Sequence, residues 1–313
     1  MRRAVLLTVL ALLAGLLTAC GGGSGSGESD SNDSFPEVSG SYGDKPKITV
    51  PKGLKPGNKT EATVLEEGNG KPVAEGDLLV ADYLGATFRA AKTFDNSYDR
   101  GNPGAFTLSG GQGGVIPGWV TALEGKKAGS RVLMVIPPKD GYGSQGNPQA
   151  GIKGTDSLVF VVDIIAAYDS KTPLPESTPA TDLPTDRPQV EGETNPSVTI
   201  PKGLEPPAEP VTLILSEGSG PKVVNDKLAI VQFAAVDWTG KELSSTWQTG
   251  PQGFPIGVEG RPSPFDLLND VPIGSRVLLE LPAPGDADAS KESVAVVVDV
   301  YAQHGNAREE TAK

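Results

Sequence analysis

The sequence predicts an α+β protein made of two similar domains, each an antiparallel β-sheet wrapped around a short helix. Three observations carry this prediction: short apolar runs bounded by turn residues, one helix-like segment, and a long internal repeat. With 40 glycines and 28 prolines in 313 residues, turns are abundant and a helical bundle is disfavoured.

The strand predictions rest on runs rich in β-branched and apolar residues between Gly, Pro and Asp. These runs are 78–84, 131–136 and 157–166 in the first part of the chain, and 227–234, 276–281 and 293–301 in the second. Segment 119–126 has no proline and no β-branched cluster, so we expect one short helix there. Strands with a single helix indicate an α+β arrangement.

An internal repeat divides the chain. Ile-Thr-Val-Pro-Lys-Gly-Leu at 48–54 recurs as Val-Thr-Ile-Pro-Lys-Gly-Leu at 198–204, and Gly-Ser-Arg at 129–131 recurs at 274–276. Matches in the same order along the chain predict two domains of similar fold.

The repeat and the composition between its copies give the domain boundaries. Gly, Ser and acidic residues predict a disordered tether, and a Pro/Thr-rich stretch predicts a semi-extended linker. The predicted segments are a signal peptide at 1–19, the tether at 20–46, a first domain at 47–169, the linker at 170–196, a second domain at 197–304 and a disordered tail at 305–313.

The start of the chain resembles the signal peptide of a bacterial lipoprotein. Arg2 and Arg3 precede an apolar run that closes with Leu-Thr-Ala-Cys at 17–20. This pattern predicts lipidation at Cys20 and attachment to the extracytoplasmic face of the cell membrane, with a thioether-linked diacylglycerol and an amide-linked chain supplying stable anchoring. An uncleaved anchor, or a secreted protein with a free thiol, is the alternative.

Composition excludes several classes of function. The net charge of −12 and the pI near 4.7 argue against a nucleic-acid partner, which clustered Lys and Arg would bind. A single histidine, His304, and a single cysteine, Cys20, leave too few ligands for a zinc or redox site. We therefore expect no metal and no cofactor. No G-x-S-x-G elbow or Walker loop is present.

Five ordered motifs carry a family resemblance. They are Val-Ala-Asp-Tyr-Leu-Gly at 80–85, Thr-Phe-Asp-Asn-Ser at 93–97, Val-Ile-Pro-Gly-Trp at 115–119, Gly-Tyr-Gly at 141–143 and Leu-Val-Phe at 158–160. In this order they resemble the FKBP family of peptidyl-prolyl cis-trans isomerases.

The resemblance implies a shallow apolar pocket with Trp119 as its floor. It implies walls from Tyr83, Phe94, Val115, Ile116 and Phe160, a polar rim from Asp95 and Tyr142, and further substrate-binding residues in Arg100 and Phe106. The Tyr142 hydroxyl and the Ile116 backbone N–H are implied donors to the bound peptide, with Asp95 as a third catalytic candidate. Gly104 stands where the family tends to have an aromatic residue, so one wall is expected to be missing.

The implied function is prolyl isomerisation of extracytoplasmic polypeptides, and macrolide inhibitors become candidate ligands. Two alternatives remain: a non-catalytic chaperone or scaffold that only binds proline peptides, and a solute-binding lipoprotein, disfavoured because each repeat is too small for a large bilobed cleft. Isolated buried aromatic residues are also ordinary core residues, and only their combined order favours a pocket.

The second copy lacks the signature. Phe233 stands in place of Tyr83, Leu-Ser-Ser-Thr at 243–246 replaces the segment with the aspartate, and Arg-Pro-Ser-Pro-Phe at 261–265 replaces Val-Ile-Pro-Gly-Trp. We expect a degenerate FKBP-like domain without an active pocket. Whether it binds a client, packs on the first domain or only spaces it is left open by the sequence.

Overall fold

Two antiparallel β-sheets, one in each half of the chain, form the core of the protein. The structure is a computed structural model that describes residues 35–111, 113–285 and 288–311. The described residues belong to one compact unit, Ser34–Lys313. The predicted signal peptide and Cys20 lie outside the described residues.

The N-terminal half, residues 35–169, contains a six-stranded sheet and a separate hairpin. Its elements are β1 (Glu37–Ser39), β2 (Lys47–Thr49), β3 (Glu61–Glu66), β4 (Leu78–Thr87), β5 (Thr93–Asn96), β6 (Gly104–Thr107), α1 (Pro117–Leu123), β7 (Arg131–Ile136) and β8 (Leu158–Tyr168). The strand order is β3-β7-β8-β4-β5, and β6 also pairs with β4. This half confirms the antiparallel sheet with a short helix.

The central strands of this sheet are buried on both faces. Along β7, Val132 and Met134 join the cluster that contains the helix side chains, whereas Leu133 and Val135 join a second cluster with Ile48 of β2. Successive side chains of a strand point to opposite faces, so a strand covered on both sides is apolar throughout. The helix therefore covers one face and the hairpin β1-β2 lies against the other.

Helix α1 lies unusually close to the sheet. A Cβ on Gly118 would lie 2.5 Å from Cγ2 of Ile136, so only glycine permits this approach. The helix begins two residues before the predicted start, because Pro117 supplies a φ suited to the first helical position. It also ends earlier than predicted, and Gly125 follows with a φ of 76°.

The C-terminal half, residues 170–311, contains a seven-stranded sheet and a second hairpin. Its elements are β9 (Ser177–Pro179), β10 (Gln189–Glu191), β11 (Ser197–Thr199), β12 (Val211–Gly218), β13 (Lys227–Asp237), β14 (Glu242–Ser245), β15 (Gln252–Ile256), β16 (Arg276–Leu281), α2 (Ala289–Glu292), β17 (Val294–His304) and α3 (Ala307–Thr311). The strand order is β14-β13-β17-β16-β12-β9, and β15 also pairs with β13.

Between β15 and β16 the chain forms a 3₁₀-helix, Pro264–Leu268, where the N-terminal half has α1. The helix has a capping box in which the Ser263 and Asp266 side chains bond each other's backbone. Asp270 then adopts a φ of 66°. The short helix expected in the second domain is therefore a 3₁₀-helix rather than an α-helix. None of the described helices combines the length and apolar character needed to cross a membrane.

The end of the predicted tether is ordered, which corrects the prediction of disorder there, and the predicted linker contains the extended strands β9 and β10. Hairpin β1-β2 is held by Arg131, whose guanidinium donates to the carbonyl oxygens of Gly40 at 2.5 Å and Asp44 at 2.6 Å. Hairpin β10-β11 is held by Arg276 in the same way, through the carbonyl oxygens of residues 192 and 193. A buried guanidinium needs acceptors for its donors, and these carbonyls supply them.

The predicted disordered tail contains α3, which lies against the N-terminal half. Ala307 is fully buried, and its backbone N–H donates to Oδ2 of Asp82 at 2.7 Å. Asp82 is fully buried and also accepts from the Ser97 hydroxyl at 2.6 Å. The carboxylate thus fixes the start of α3, because an unpaired buried charge is strongly unfavourable.

The two halves also share an apolar cluster. Leu78 and Val80 of β4 pack with Leu228 and Ile230 of β13 and with Tyr301. Beside this cluster, the Tyr168 hydroxyl lies 2.6 Å from Nε2 of residue 304. The halves are therefore in direct contact, chiefly between β4 and β13.

Candidate functional site

Five aromatic side chains form one cluster on the helix side of the first sheet. We call them the indole cluster: Tyr83, Phe94, Phe106, Trp119 and Phe160. The Trp119 indole is at the centre, with ring centroids of Tyr83, Phe106 and Phe160 at 5.7, 5.3 and 5.4 Å, all edge-on. Edge-to-face pairs at this separation are favourable beyond the area they bury.

Strand register explains why these rings meet. Gly85 of β4 lies opposite Phe160 of β8 on one side and Asp95 of β5 on the other. A Cβ on Gly85 would lie 2.6 Å from Phe160 and 2.7 Å from Phe94. The glycine of the Tyr-Leu-Gly motif therefore leaves the space in which the two rings contact each other, with centroids 5.6 Å apart.

The wall expected to be missing at Gly104 is filled from within the cluster. A Cβ on Gly104 would lie 2.3 Å from Cζ of Phe106, two residues along β6. The Phe106 ring thus covers the position where the family tends to place an aromatic side chain, and it contacts Tyr83 at 5.4 Å and the indole. Any larger residue at 104 would displace this ring.

A polar triad borders the rings. The Tyr83 hydroxyl donates to Asp95 at 2.5 Å, and Arg100 donates to Asp95 at 2.7 Å and to the Tyr83 oxygen at 2.8 Å. The Arg100 guanidinium also lies 5.4 Å from the Tyr83 ring centre. The triad fixes the Tyr83 ring against the indole and presents a half-exposed charge pair at the edge of the cluster.

The triad controls two protonation states. Burial, followed by the hydrogen bond to Asp95, raises the pKa of Tyr83 to about 12, although Arg100 opposes the rise. Burial works against the charge on Asp95, but the hydrogen bonds from Tyr83 and Arg100 outweigh it and lower the pKa of this carboxyl below its usual value. At neutral pH the tyrosine is thus a donor and the aspartate an acceptor.

Strand β5, which carries Asp95, is held at its end by Ser97, which was not among the predicted site residues. Its buried hydroxyl accepts from the Tyr83 backbone N–H at 2.9 Å and donates to Asp82 at 2.6 Å. Alternation along β4 places Asp82 and Tyr83 on opposite faces. A polar residue inside this apolar strand was the available signal that Asp82 has a buried partner.

Three predicted residues occupy less central positions. Val115 and Ile116 are half-buried against the indole cluster, and Ile116 directly precedes α1. Tyr142 is 36% exposed, in a turn between two 3₁₀-helices. Among the described residues it has neither a hydrogen bond nor a ring contact with the cluster. The structure thus brings Tyr83, Phe94, Asp95, Arg100, Phe106, Trp119 and Phe160 together, and leaves Tyr142 apart.

A cavity of about 640 Å³ borders the cluster at Tyr83, Arg100 and Phe106. Trp119 itself is only 4% exposed, because Tyr83 and Phe106 cover its edges. The residues that line this cavity include Tyr83, Arg100 and Phe106 but not Trp119, so a ligand in it would contact those side chains rather than the indole.

The arrangement of rings, motifs and sheet matches one known family. The model of the FKBP-type peptidyl-prolyl cis-trans isomerase family matches residues 69–165. The FK506-binding protein of Streptomyces anulatus is 33% identical over 123 residues, which are 39% of this chain and 97% of that protein. The chain therefore belongs to the FKBP-type peptidyl-prolyl cis-trans isomerase family.

Other relatives match over part of their length. The FKBP-type peptidyl-prolyl cis-trans isomerase FkpA of Escherichia coli (strain K12) is 41% identical over 114 residues, 35% of this chain and 40% of that protein. The crystal structure of FkpA from Escherichia coli is 39% identical, with a TM-score of 0.31, and the match covers 34% of this chain and 47% of that one. The chain thus spans less than half of FkpA.

Proposed function

We propose that this protein is a peptidyl-prolyl cis-trans isomerase that acts on polypeptides outside the cytoplasm, with the indole cluster as the proline site. The observation that carries the proposal is the Trp119 indole surrounded edge-on by three rings within 5.7 Å, with the Tyr83–Asp95–Arg100 triad at its border. Family membership supports the reaction class.

The proposed chemistry requires no nucleophile. Rotation about an X-Pro amide is opposed by a barrier of about 18–20 kcal/mol because it breaks the partial double bond. In the twisted state resonance is lost, so the amide is less polar than in the planar ground state. Apolar rings that exclude water favour the twisted amide over the planar one, which is preferential binding of the transition state.

The triad has a positioning role in this proposal. The Tyr83–Asp95–Arg100 bonds hold the Tyr83 ring upright beside the indole, and a fixed wall keeps the proline ring in one orientation. Tyr142 and the Ile116 N–H remain proposed donors to peptide carbonyls, by resemblance to the family.

An isomerisation assay on the purified protein tests the reaction. We expect a tetrapeptide reporter to isomerise faster with the protein than without it, and Asp95→Leu and Tyr142→Phe to reduce turnover while the circular dichroism spectrum is unchanged. If the reporter isomerises at the uncatalysed rate, the proposal that the protein is an isomerase is refuted. Wild-type rates in both variants would remove these residues from the site.

The alternative is a chaperone that binds proline peptides without turnover. The absence of an aromatic side chain at Gly104 was the argument for a chaperone. The Phe106 ring occupies the space over that glycine, so this argument no longer applies. Relatives named as FK506-binding proteins support a macrolide of that class as a competing ligand. Macrolide or peptide binding without acceleration of the reporter would identify the chaperone.

We also propose that the protein is a lipoprotein anchored through Cys20, on the strength of the basic, apolar and Leu-Thr-Ala-Cys segments at its start. Cell fractionation tests this part. We expect wild-type protein in the membrane fraction and the Cys20→Ser variant in the soluble extracytoplasmic fraction. Membrane retention of the variant would contradict lipidation.

Finally, we propose that the C-terminal half is a second FKBP-like repeat that has lost its site. Matching strand orders support this, as does the pair Arg276–Asp299, which holds a hairpin as Arg131–Asp163 does. The domain boundaries then begin near residues 37 and 189, earlier than the sequence predicts, because each repeat includes its hairpin.

A further inference from the structure

The cavity beside the indole cluster has walls from both halves of the chain. The N-terminal half supplies Tyr83, Arg100 and Phe106, and the C-terminal half supplies Pro255 and Val258 among others. Its volume of about 640 Å³ lies within the usual range for ligand sites, about 300–1,000 Å³. We call this cavity the interhalf cleft.

Direct contact between two strands fixes the geometry of the cleft. Ala105 of β6 and Gly253 of β15 face each other, and a Cβ on Gly253 would lie 2.5 Å from Cβ of Ala105. The close approach therefore requires glycine at this position. It brings Pro255 and Val258, which follow on the same segment, opposite the Phe106 side of the cleft.

A second, smaller cavity shares Ala105, Phe106 and Gly253 with the cleft. This cavity of about 260 Å³ is also lined by Val115, again with residues from both halves. In both spaces the C-terminal half forms part of the wall.

A proline bound at the indole cluster is one residue of a longer chain. Neighbouring residues extend about 3.3 Å each, so the residues that flank it must leave the cluster within a few ångströms. The cleft offers apolar surface from Phe106, Pro255 and Val258. At its edge lie Glu259 and Arg261, both exposed, and neither has an ion-pair partner among the described residues.

We propose that the interhalf cleft binds the residues flanking the proline, so that the C-terminal half selects extended polypeptide segments with apolar side chains near the proline. This inference rests on the proposed function of the indole cluster. It assigns the degenerate second copy the role of substrate selection, with Val258 as its apolar contact and the 259–261 loop as its charged edge.

The main test fills the cleft by Val258→Trp. The matched control is Leu243→Trp, an apolar residue that is 50% exposed on β14 and lines no cavity described above. Two substrates are compared: a tetrapeptide reporter, and a longer peptide with leucine on both sides of the proline. The readouts are kcat/KM for isomerisation and the dissociation constant from fluorescence anisotropy of labelled peptide.

We expect Val258→Trp to weaken binding and lower kcat/KM for the longer peptide about fivefold or more, with the tetrapeptide within about twofold and the control like wild type. Unchanged binding of the longer peptide, or equal losses of kcat/KM for both substrates, would overturn the proposal that the cleft binds the flanking residues. If wild type binds the longer peptide without accelerating the reporter, the enzyme proposal fails alone. If wild type neither binds nor accelerates, both proposals fail.

A second variant guards against misfolding of the first. Arg261→Glu changes an exposed residue, so the fold should persist. Two otherwise identical peptides carry glutamate or lysine beyond the leucine. We expect the preference between them to shift about threefold or more towards lysine, because the variant places a second carboxylate at the edge. An unchanged preference would remove the 259–261 loop from the cleft.

Discussion

The two halves of the chain place aromatic rings at the same strand positions but arrange them differently. Phe233 pairs in β13 as Tyr83 pairs in β4, and Phe254 in β15 corresponds to Phe106 in β6. In the C-terminal half, Phe254 and Phe265 stack at 4.1 Å with their planes 30° apart. In the indole cluster no pair is stacked, and the rings stand edge-on.

The difference comes from the residues around the rings. Val296 occupies the register position of Phe160, and Ser244 that of Asp95, so the second copy lacks a counterpart of the Phe160 ring and lacks the triad. The neighbour of Ser244, Leu243, is 50% exposed. Sheet, hairpin and the arginine–aspartate pair that holds the hairpin are thus present in both halves, whereas the site is present in one. The scaffold does not depend on the site.

The largest expected effect concerns the scaffold. Arg131→Ala leaves Asp163 buried without its partner, and both side chains are fully buried, so we expect a loss of about 3–5 kcal/mol in unfolding free energy. Arg276→Ala should cost less, because Arg276 is 14% exposed and water reaches it. Urea unfolding monitored by tryptophan fluorescence measures both. Equal losses would contradict the assignment of different burial to the two pairs.

The next effect concerns activity. Trp119→Leu removes the centre of the indole cluster, and we expect kcat/KM for a proline reporter to fall about 10- to 100-fold, equivalent to about 1.4–2.8 kcal/mol. Phe265→Leu in the other half removes the corresponding ring and should leave kcat/KM within about twofold. Circular dichroism verifies that both variants fold. Similar activity losses in the two would mean that the halves share one catalytic surface.

Local sequence patterns were enough to predict much of the scaffold. Strands β7 and β16 begin and end at the predicted residues, because each is a short apolar run closed by turn residues. The ordered motifs also placed Tyr83, Phe94 and Trp119 in one cluster, since each motif lies at a fixed point of the fold. The strand bounds depend on residues close in sequence. The positions of the rings follow from motifs that occupy fixed places in the fold of the family.

The features that the sequence did not predict depend on distant partners. Hairpin β1-β2 follows a polar segment and is held by partners far along the chain: Arg131 binds its carbonyl oxygens, and Ile48 packs on the sheet. Helix α3 is ordered because Asp82 accepts from its first N–H. Nothing in the sequence around Asp82 or Arg131 indicates which distant backbone groups their side chains bind. The filling of the Gly104 gap by Phe106 likewise depends on side-chain packing, which no motif records.

A smaller effect distinguishes Asp82 from Gln232, which occupies the same strand position in the second copy. Asp82→Asn retains one acceptor oxygen for the two donors, Ser97 and the Ala307 N–H, so we expect a loss on the order of 1 kcal/mol. Unfolding free energies measured across pH should also separate the variant from wild type.

The sign of that pH effect follows from the direction of the shift. Burial raises the pKa of Asp82 above its usual 3.8, although the bonds from Ser97 and Ala307 oppose this. The native state then holds the proton more tightly than the unfolded chain, so wild type loses stability relative to the variant as pH rises from about 4 through the raised pKa. A difference that is constant across this range would show that Asp82 is not desolvated.

The smallest effect belongs to Asp95, whose counterpart Ser244 carries no charge. The bonds from Tyr83 and Arg100 lower its pKa below 3.8, so the stability that its charge supplies is present above about pH 4 and is lost as pH falls through the lowered pKa. Asp95→Asn should abolish this loss. Because Asp95 is 46% exposed and Arg100 41%, the whole contribution should be under about 1 kcal/mol.

Activity measured over the same range separates positioning from stability. If Asp95 orients Tyr83, Asp95→Asn should raise KM for the proline reporter near neutral pH, while wild-type KM rises only when pH falls below about 4 and the carboxylate is protonated. The corresponding change in the other half, Ser244→Ala, should alter neither. A KM for Asp95→Asn equal to that of wild type at neutral pH would reduce the triad to a surface ion pair, and the difference between the two copies would then rest on the rings alone.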